Sequence, residues 1–320
     1  RQQRRFAFVL FLLLAVSIAI PAAAQRSWDG GNGTNVWGDN GNWSPDGSPA
    51  GFDVLIGNLA AGVNATTRLN NTFSITTLTI TNGADVINST DDGATNDFRL
   101  LVNGLTTISD AGSTITIYGG ATEGLDTDNL TINNGATVSL NSQTAAGQAI
   151  LQVDGGTGTG LLDLNAGGTL SGNGLVQLNA APGAATALLS NDGTLTARAF
   201  GGLLIPPATT MQITATSLNA RVDLDGVGGL GVVNTFGNAT LDIDVGINDA
   251  FSGTINMSAG STLDSAGPWG IDIGTININT PGIIFGTKGA AAHLAGGAIT
   301  MSGGTVNLDD VDSVVLDAAL

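Results

Sequence analysis

Apolar residues along this chain alternate with Thr, Ser and Asn in short runs, and the runs end at Gly or Asn-Gly. Over Leu130–Leu140 the apolar positions are Leu130, Ile132, Val138 and Leu140, with Thr and Ser between them. That period of two marks a strand with one buried face. Asn133-Asn134-Gly135 separates the two apolar pairs, and Asn and Gly accept the positive φ of a sharp corner. The unit reads strand, corner, strand. It recurs at Leu78–Val86, Ile255–Leu263 and Ile299–Leu308.

Near the C-terminus Gly237, Gly260, Gly282 and Gly303 follow one another at nearly even intervals. A fixed period of about 22 residues is what a solenoid needs, because each turn buries its apolar face only against its neighbours. The expected fold is all-β: a right-handed parallel β-helix of about 13 coils stacked roughly 4.8 Å apart. Wider steps, such as that from Gly135 to Gly167, predict coils of uneven length with insertions at the corners. Ala180–Ala187 and Phe200–Pro207 break the alternation and read as loops leaving the rod.

Before the repeats, Arg1, Arg4 and Arg5 precede an apolar run, Phe6–Ile20, and then Pro21-Ala22-Ala23-Ala24. This is the pattern of a secretory signal peptide over residues 1–24, cut after Ala24, and the run is short of the ~20 residues a membrane span needs. Residues 25–52 are unlike the rest and hold Trp28, Trp37 and Trp43 among Gly and Asn. An open solenoid end exposes strand edges and core, so these rings are expected to form a structural cap; the alternative is a platform that stacks on sugars. Asp53–Gly57 reads as the first strand of a β-helix over 53–320. The chain begins at Arg1 rather than Met and carries no barrel or sorting tail, so it reads as a C-terminally truncated fragment.

Charge changes the picture. Beyond the leader, six Lys/Arg face 26 acids, a net charge of −20, and all the acids but Glu123 are Asp. Such a rod lacks the basic footprint that nucleic acid or an anionic membrane requires. There is no Cys, so the core alone must hold the fold.

The run Trp28-x-Gly30-Gly31, Trp37, Asn42-Trp43, Pro49, Asp53-Val54, followed by LTITNGA-type coils, resembles secreted bacterial β-helix proteins with autotransporter-associated β-strand repeats. Ser190–Leu195 and Leu241–Leu263 are similar to the same group. The resemblance covers most of the chain after the leader and implies an extracellular or cell-surface passenger.

Candidate chemistry is thin. In a strand, both members of Asp223/Asp225 and of Asp242/Asp244 lie on the outer face. Stacked on adjacent coils they would repel by roughly 1 kcal/mol each even in water. They are therefore offset and solvated, or they bind Ca²⁺, a cation that takes about six to eight oxygens. These four Asp are the metal candidates, and no other cofactor is expected. For glycoside hydrolysis, which needs two placed carboxylates, Asp91-Asp92, Asp126/Asp128 and Asp309-Asp310-Asp312 are available by composition only. The cations Arg26, Arg68, Arg99, Arg198, Arg221 and Lys288 are scattered. His293, the sole His, sits in an Ala/Gly-rich stretch read as an exposed loop, and no Gly-x-Ser-x-Gly elbow accompanies it.

The sequence thus predicts a secreted or surface-displayed, adhesin-like scaffold without a catalytic residue set. Its expected partners are polysaccharide or other cell-surface components, with no membrane insertion of the mature chain. A carbohydrate-active or carbohydrate-binding β-helix is the alternative.

Overall fold

The computed structural model describes residues 24–57, 66–88, 98–119, 124–142, 147–156, 159–179, 187–198, 210–215, 221–224, 231–236, 239–244, 246–247, 253–258 and 261–265, together with strands between 269 and 316. Side chains are described as far as Leu263. The expected leader and both expected loops lie outside the described residues, apart from Ala24 and Ala187.

The described chain is all-β, a curled and mostly parallel sheet, and its one helical element is a single 3₁₀ turn at Asn40–Asn42. Three ladders run through it. One, the Leu130 face, aligns Val54, Leu78, Thr106, Leu130, Leu162, Leu189 and Val222. A second, the Leu151 face, aligns Phe73, Leu100, Leu125, Leu151, Val176, Ile213 and Ile243. The third, the Val138 face, aligns Thr67, Val86, Ile115, Val138, Leu170, Leu195, Val233 and Ile255. Every residue in these three rows is buried. Like side chains therefore stack on like, and each buried Leu, Ile or Val contributes roughly 1.5–3 kcal/mol of transfer free energy.

Long strands bend from one face to the next. Arg99–Ile108 and Gly124–Ile132 each serve the Leu151 face and then the Leu130 face. Thr169–Leu178 passes from the Val138 face to the Leu151 face through Gly172. Gly172 has φ +117, and a Cβ there would run into the Leu140 carbonyl oxygen, so only Gly makes this bend.

The coil length differs from the sequence-based value. On the Val138 face nine steps lead from Thr66 to Thr305, the shortest from Thr66 to Asp85 and the longest from Thr194 to Val232. The coils are therefore longer and fewer than the glycine spacing implies. That spacing holds for the steps from Val232 to Thr254 and from Thr254 to Thr275 and fails for the longer step from Thr275 to Thr305. His293 also departs from expectation: it lies in the strand Ala292–Gly296, in register with Thr262, not in a loop.

Candidate functional site

The N-terminal segment closes one end of all three ladders. Gln25–Trp28 pairs in parallel with Asp53–Ile56 and antiparallel with Trp43–Ser44, placing Trp28 opposite Trp43. The first parallel strand is thus Gln25–Trp28, not Asp53–Ile56. Asn35–Trp37 covers Arg68 on the Val138 face through Arg68 N–H to Asn35 O at 2.7 Å and Trp37 N–H to Arg68 O at 3.0 Å. Gly51–Phe52 covers the Leu151 face through Gly51 N–H to Ser74 O at 2.8 Å and Thr76 N–H to Phe52 O at 2.9 Å. Edges that would otherwise pair with another chain are occupied.

The three Trp rings lock this cap. Trp28, Trp37 and Trp43 are 1%, 0% and 0% exposed. Trp43 meets Trp28 and Trp37 edge to face, with centroids 5.1 and 5.2 Å apart, the geometry the ring quadrupole favours. The Trp37 indole N–H donates to Thr67 Oγ1 at 2.9 Å, and that of Trp43 to the Trp37 carbonyl at 2.9 Å. Buried rings have no face to offer a sugar, so the stacking-platform reading of these residues is corrected: they are core. Outside them, the Arg26 guanidinium lies 4.7 Å from the centre of the Phe52 ring.

On the outer side of the Leu151 face, adjacent coils bring Arg99, Asp126, Asp128, Gln152 and Asp154 together. Register sets Asp126 beside Gln152, and Arg99 Nη2 donates to Asp126 Oδ2 at 2.5 Å and to Gln152 Oε1 at 3.3 Å. Asp154 follows Val153, the partner of Thr127, and so stands beside Asp128 on the adjacent coil. Burial is the main cause that lifts the Asp126 carboxyl above the ordinary carboxylate range; Arg99 pulls it back and Asp154 lifts it again. Asp128 is lifted by burial and then by the charge and hydrogen bond of Asp154. Two carboxyls in contact favour keeping a proton between them. Gly156, at φ +52, bounds this group: its N–H donates to Asp154 Oδ1 at 3.1 Å, and a Cβ there would strike the Asp128 carboxylate. Asp126 and Asp128 were legible as a pair; Arg99, Gln152 and Asp154 join them only through the coil steps.

The Ca²⁺ candidates divide. Asp223 lies on the Leu130 face, in register with Ser190, and Asp225 lies outside the described residues. Asp242 and Asp244 lie on the Leu151 face, where Gln212 Nε2 donates to Asp244 Oδ2 at 2.8 Å and to Asp242 Oδ2 at 3.4 Å. Asp223 and the pair Asp242/Asp244 are therefore on different faces and do not stack on each other; the residues in register with Asp242 are Gln212 and Asp264. Among the described residues no group of three or more His, Asp or Glu is placed to hold a metal ion. Of the hydrolase candidates, Asp91-Asp92, Asp310 and Asp312 lie outside the described residues.

The outer side of the Val138 face differs. One row aligns Thr114, Thr137, Thr169, Thr194, Val232 and Thr254, and a second aligns Thr116, Ser139, Ser171, Thr196, Asn234 and Asn256. Asn256 Nδ2 donates to Asn234 Oδ1 at 2.8 Å, and Asn234 Nδ2 to Thr196 Oγ1 at 3.1 Å, along the coil stack. No carboxylate occupies either row between Thr114 and Asn256; Asp85 borders the stretch, accepting from the Thr114 hydroxyl. Among the described residues no helix is long and apolar enough to cross a membrane. Comparisons with protein-family models, with curated proteins and with solved structures found no match.

Proposed function

We propose that this chain is a secreted, surface-displayed structural scaffold, a right-handed parallel β-helix exported through the leader at residues 1–24. Its role is adhesion or matrix contribution, with many weak polar contacts spread along the rod. One observation carries this reading: the outward polar side chains bond to the coil above or below. Besides Asn256–Asn234–Thr196, Asn165 Nδ2 donates to Asn133 Oδ1 at 2.8 Å, Thr77 Oγ1 to Asp53 Oδ1 at 2.8 Å, and Asn103 Nδ2 to Ser74 Oγ at 3.0 Å. Side chains used this way stiffen a rod. The likeness of the Trp/Gly cap and LTITNGA coils to autotransporter-associated repeats supports the same reading.

A carbohydrate-active enzyme is the second reading, favoured by the gathering of Arg99, Asp126, Asp128 and Asp154 on one face. Glycoside hydrolysis, however, needs two carboxyl groups placed to act on the substrate, whereas Asp126 is engaged by Arg99 and Asp154 by the Gly156 N–H. Incubation with neutral and acidic polysaccharides separates the readings. A scaffold retains or ignores them unchanged; new reducing or unsaturated ends would establish the enzyme.

A further inference from the structure

The chain's charge is not spread evenly over its faces. A net −20 beyond the leader places Asp53, Asp163 and Asp223 outward on the Leu130 face and Asp126, Asp128, Asp154, Asp242 and Asp244 outward on the Leu151 face. Six consecutive coils of the Val138 face carry none in their two outer rows. Apart from Val232 and the buried Thr196, those rows present hydroxyls and amides at a coil pitch of about 4.8 Å and, along each strand, about 6.7 Å apart. The third outward position of the same strands is neutral or basic: half-buried Tyr118, exposed Arg198 and, in register with Arg198, Phe236 at 46% exposure.

We propose that this carboxylate-free stretch of the Val138 face, from Thr114 to Asn256, is the docking surface for an extended neutral polysaccharide lying along the rod, an inference that rests on the scaffold reading above. Charge decides the class of occupant. A polyuronate or other anionic polymer approaching a −20 rod is repelled over its whole length, while a neutral glycan meets here an outer stretch where no carboxylate must be desolvated to seat it. The repeat decides the extended form. One coil pitch is close to the length of one sugar in an extended glycan, so successive coils offer an uncharged hydroxyl or amide to successive residues. Weak contacts repeated along one chain then add as linked sites do. Asn234, held between Asn256 and Thr196, is ordered before any ligand arrives, which lowers the entropy lost on binding. Phe236, at the margin, gives an apolar surface to sugar C–H groups.

The test uses the full chain in co-sedimentation with insoluble cellulose and chitin and in affinity electrophoresis with a neutral mannan, against polygalacturonate and alginate. The unaltered chain is expected to be retained by at least one neutral glycan and by neither acidic one at the same low salt. Ser139→Asp with Thr254→Asp is expected to weaken that retention at least tenfold. Ser139→Asn with Thr254→Asn, and Gln177→Asp on the Leu151 face, are expected to leave it within twofold. Retention by no neutral glycan, preference for an acidic one, or equal retention of the Asp double variant with an unchanged far-UV spectrum would overturn the proposal. The comparison of neutral and acidic polymers stands even if the Asp variant misfolds. Release of new sugar ends in the same tubes would overturn the scaffold reading instead.

Discussion

The indole N–H of Trp43 donates to the carbonyl oxygen of Trp37 at 2.9 Å, and the two rings meet edge to face at 81°. Both residues are fully buried, so one ring fixes the backbone of the segment that covers the Val138 face. Trp43→Ala is expected to destabilise the N-terminal coils by about 3–5 kcal/mol. Nearest-neighbour coupling confines that loss. Hydrogen exchange should then speed up in Gln25–Ile56 and the strands it covers, with little change beyond Leu151. Uniform acceleration along the whole chain would show that the cap does not act locally.

Asp126 and Asp128 set a pH dependence. The folded state lifts the affinity of Asp126 and Asp128 for protons above the ordinary value, so the native state binds more protons than the unfolded one. Their stabilising contribution is complete below the ordinary carboxylate value and is lost as pH rises through the lifted values. Asp163, lifted by burial and then by Asp192, acts in the same direction. Asp39, held down chiefly by the Thr34 and Asn32 hydrogen bonds, acts oppositely and only at more acidic pH. The melting midpoint is expected to rise as pH falls from 7 toward the ordinary carboxylate range, and Asp128→Asn is expected to raise the pH 7 value and flatten the profile. A midpoint that falls over that interval contradicts this assignment.

Gln212 already donates to both Asp242 and Asp244. Melting curves with millimolar Ca²⁺ and with chelator are expected to coincide. A bound ion at 100 times its Kd would add about 2.7 kcal/mol, a shift easily seen, and such a shift would restore the Asp pairs as a Ca²⁺ site.

Gly172→Ala is expected to destabilise the chain by about 1–3 kcal/mol, since it combines a strained φ with a clash at the Leu140 carbonyl. Gly83, also at positive φ but with only the Ala111 carbonyl oxygen 3.6 Å from an added Cβ, is expected to tolerate Ala better. Urea midpoints of the two variants measure the difference.

Much of the fold was legible because its determinants are local. Leu130, Ile132, Val138 and Leu140 alternate in sequence and are all buried in the structure. The corner at Asn82-Gly83 takes φ of +56 and +75, as its residue types imply. What could not be read depends on coil length. Asp154 reaches Asp128 only after the chain has gone once around the rod, and no local signal tells which later residue lands beside it. The first strand, Gln25–Trp28, was hidden because it is short and buries only Trp28. The inward fate of the three Trp rings depends on the Thr67 hydroxyl and the Phe73 ring, which the chain delivers only after the next turn.

Register between coils is the claim on which the rest depends, and a pair of introduced cysteines reads it directly. Thr137 and Thr169 are in-register neighbours on the Val138 face, at a spacing of about 4.8 Å that lies within the range a disulfide spans, and the chain has no Cys of its own. Stacked parallel coils predict that Thr137→Cys/Thr169→Cys closes intramolecularly under mild oxidation, while Thr137→Cys/Asp163→Cys, on different faces, stays reduced. A folded Thr137→Cys/Thr169→Cys protein that stays reduced would contradict the parallel winding.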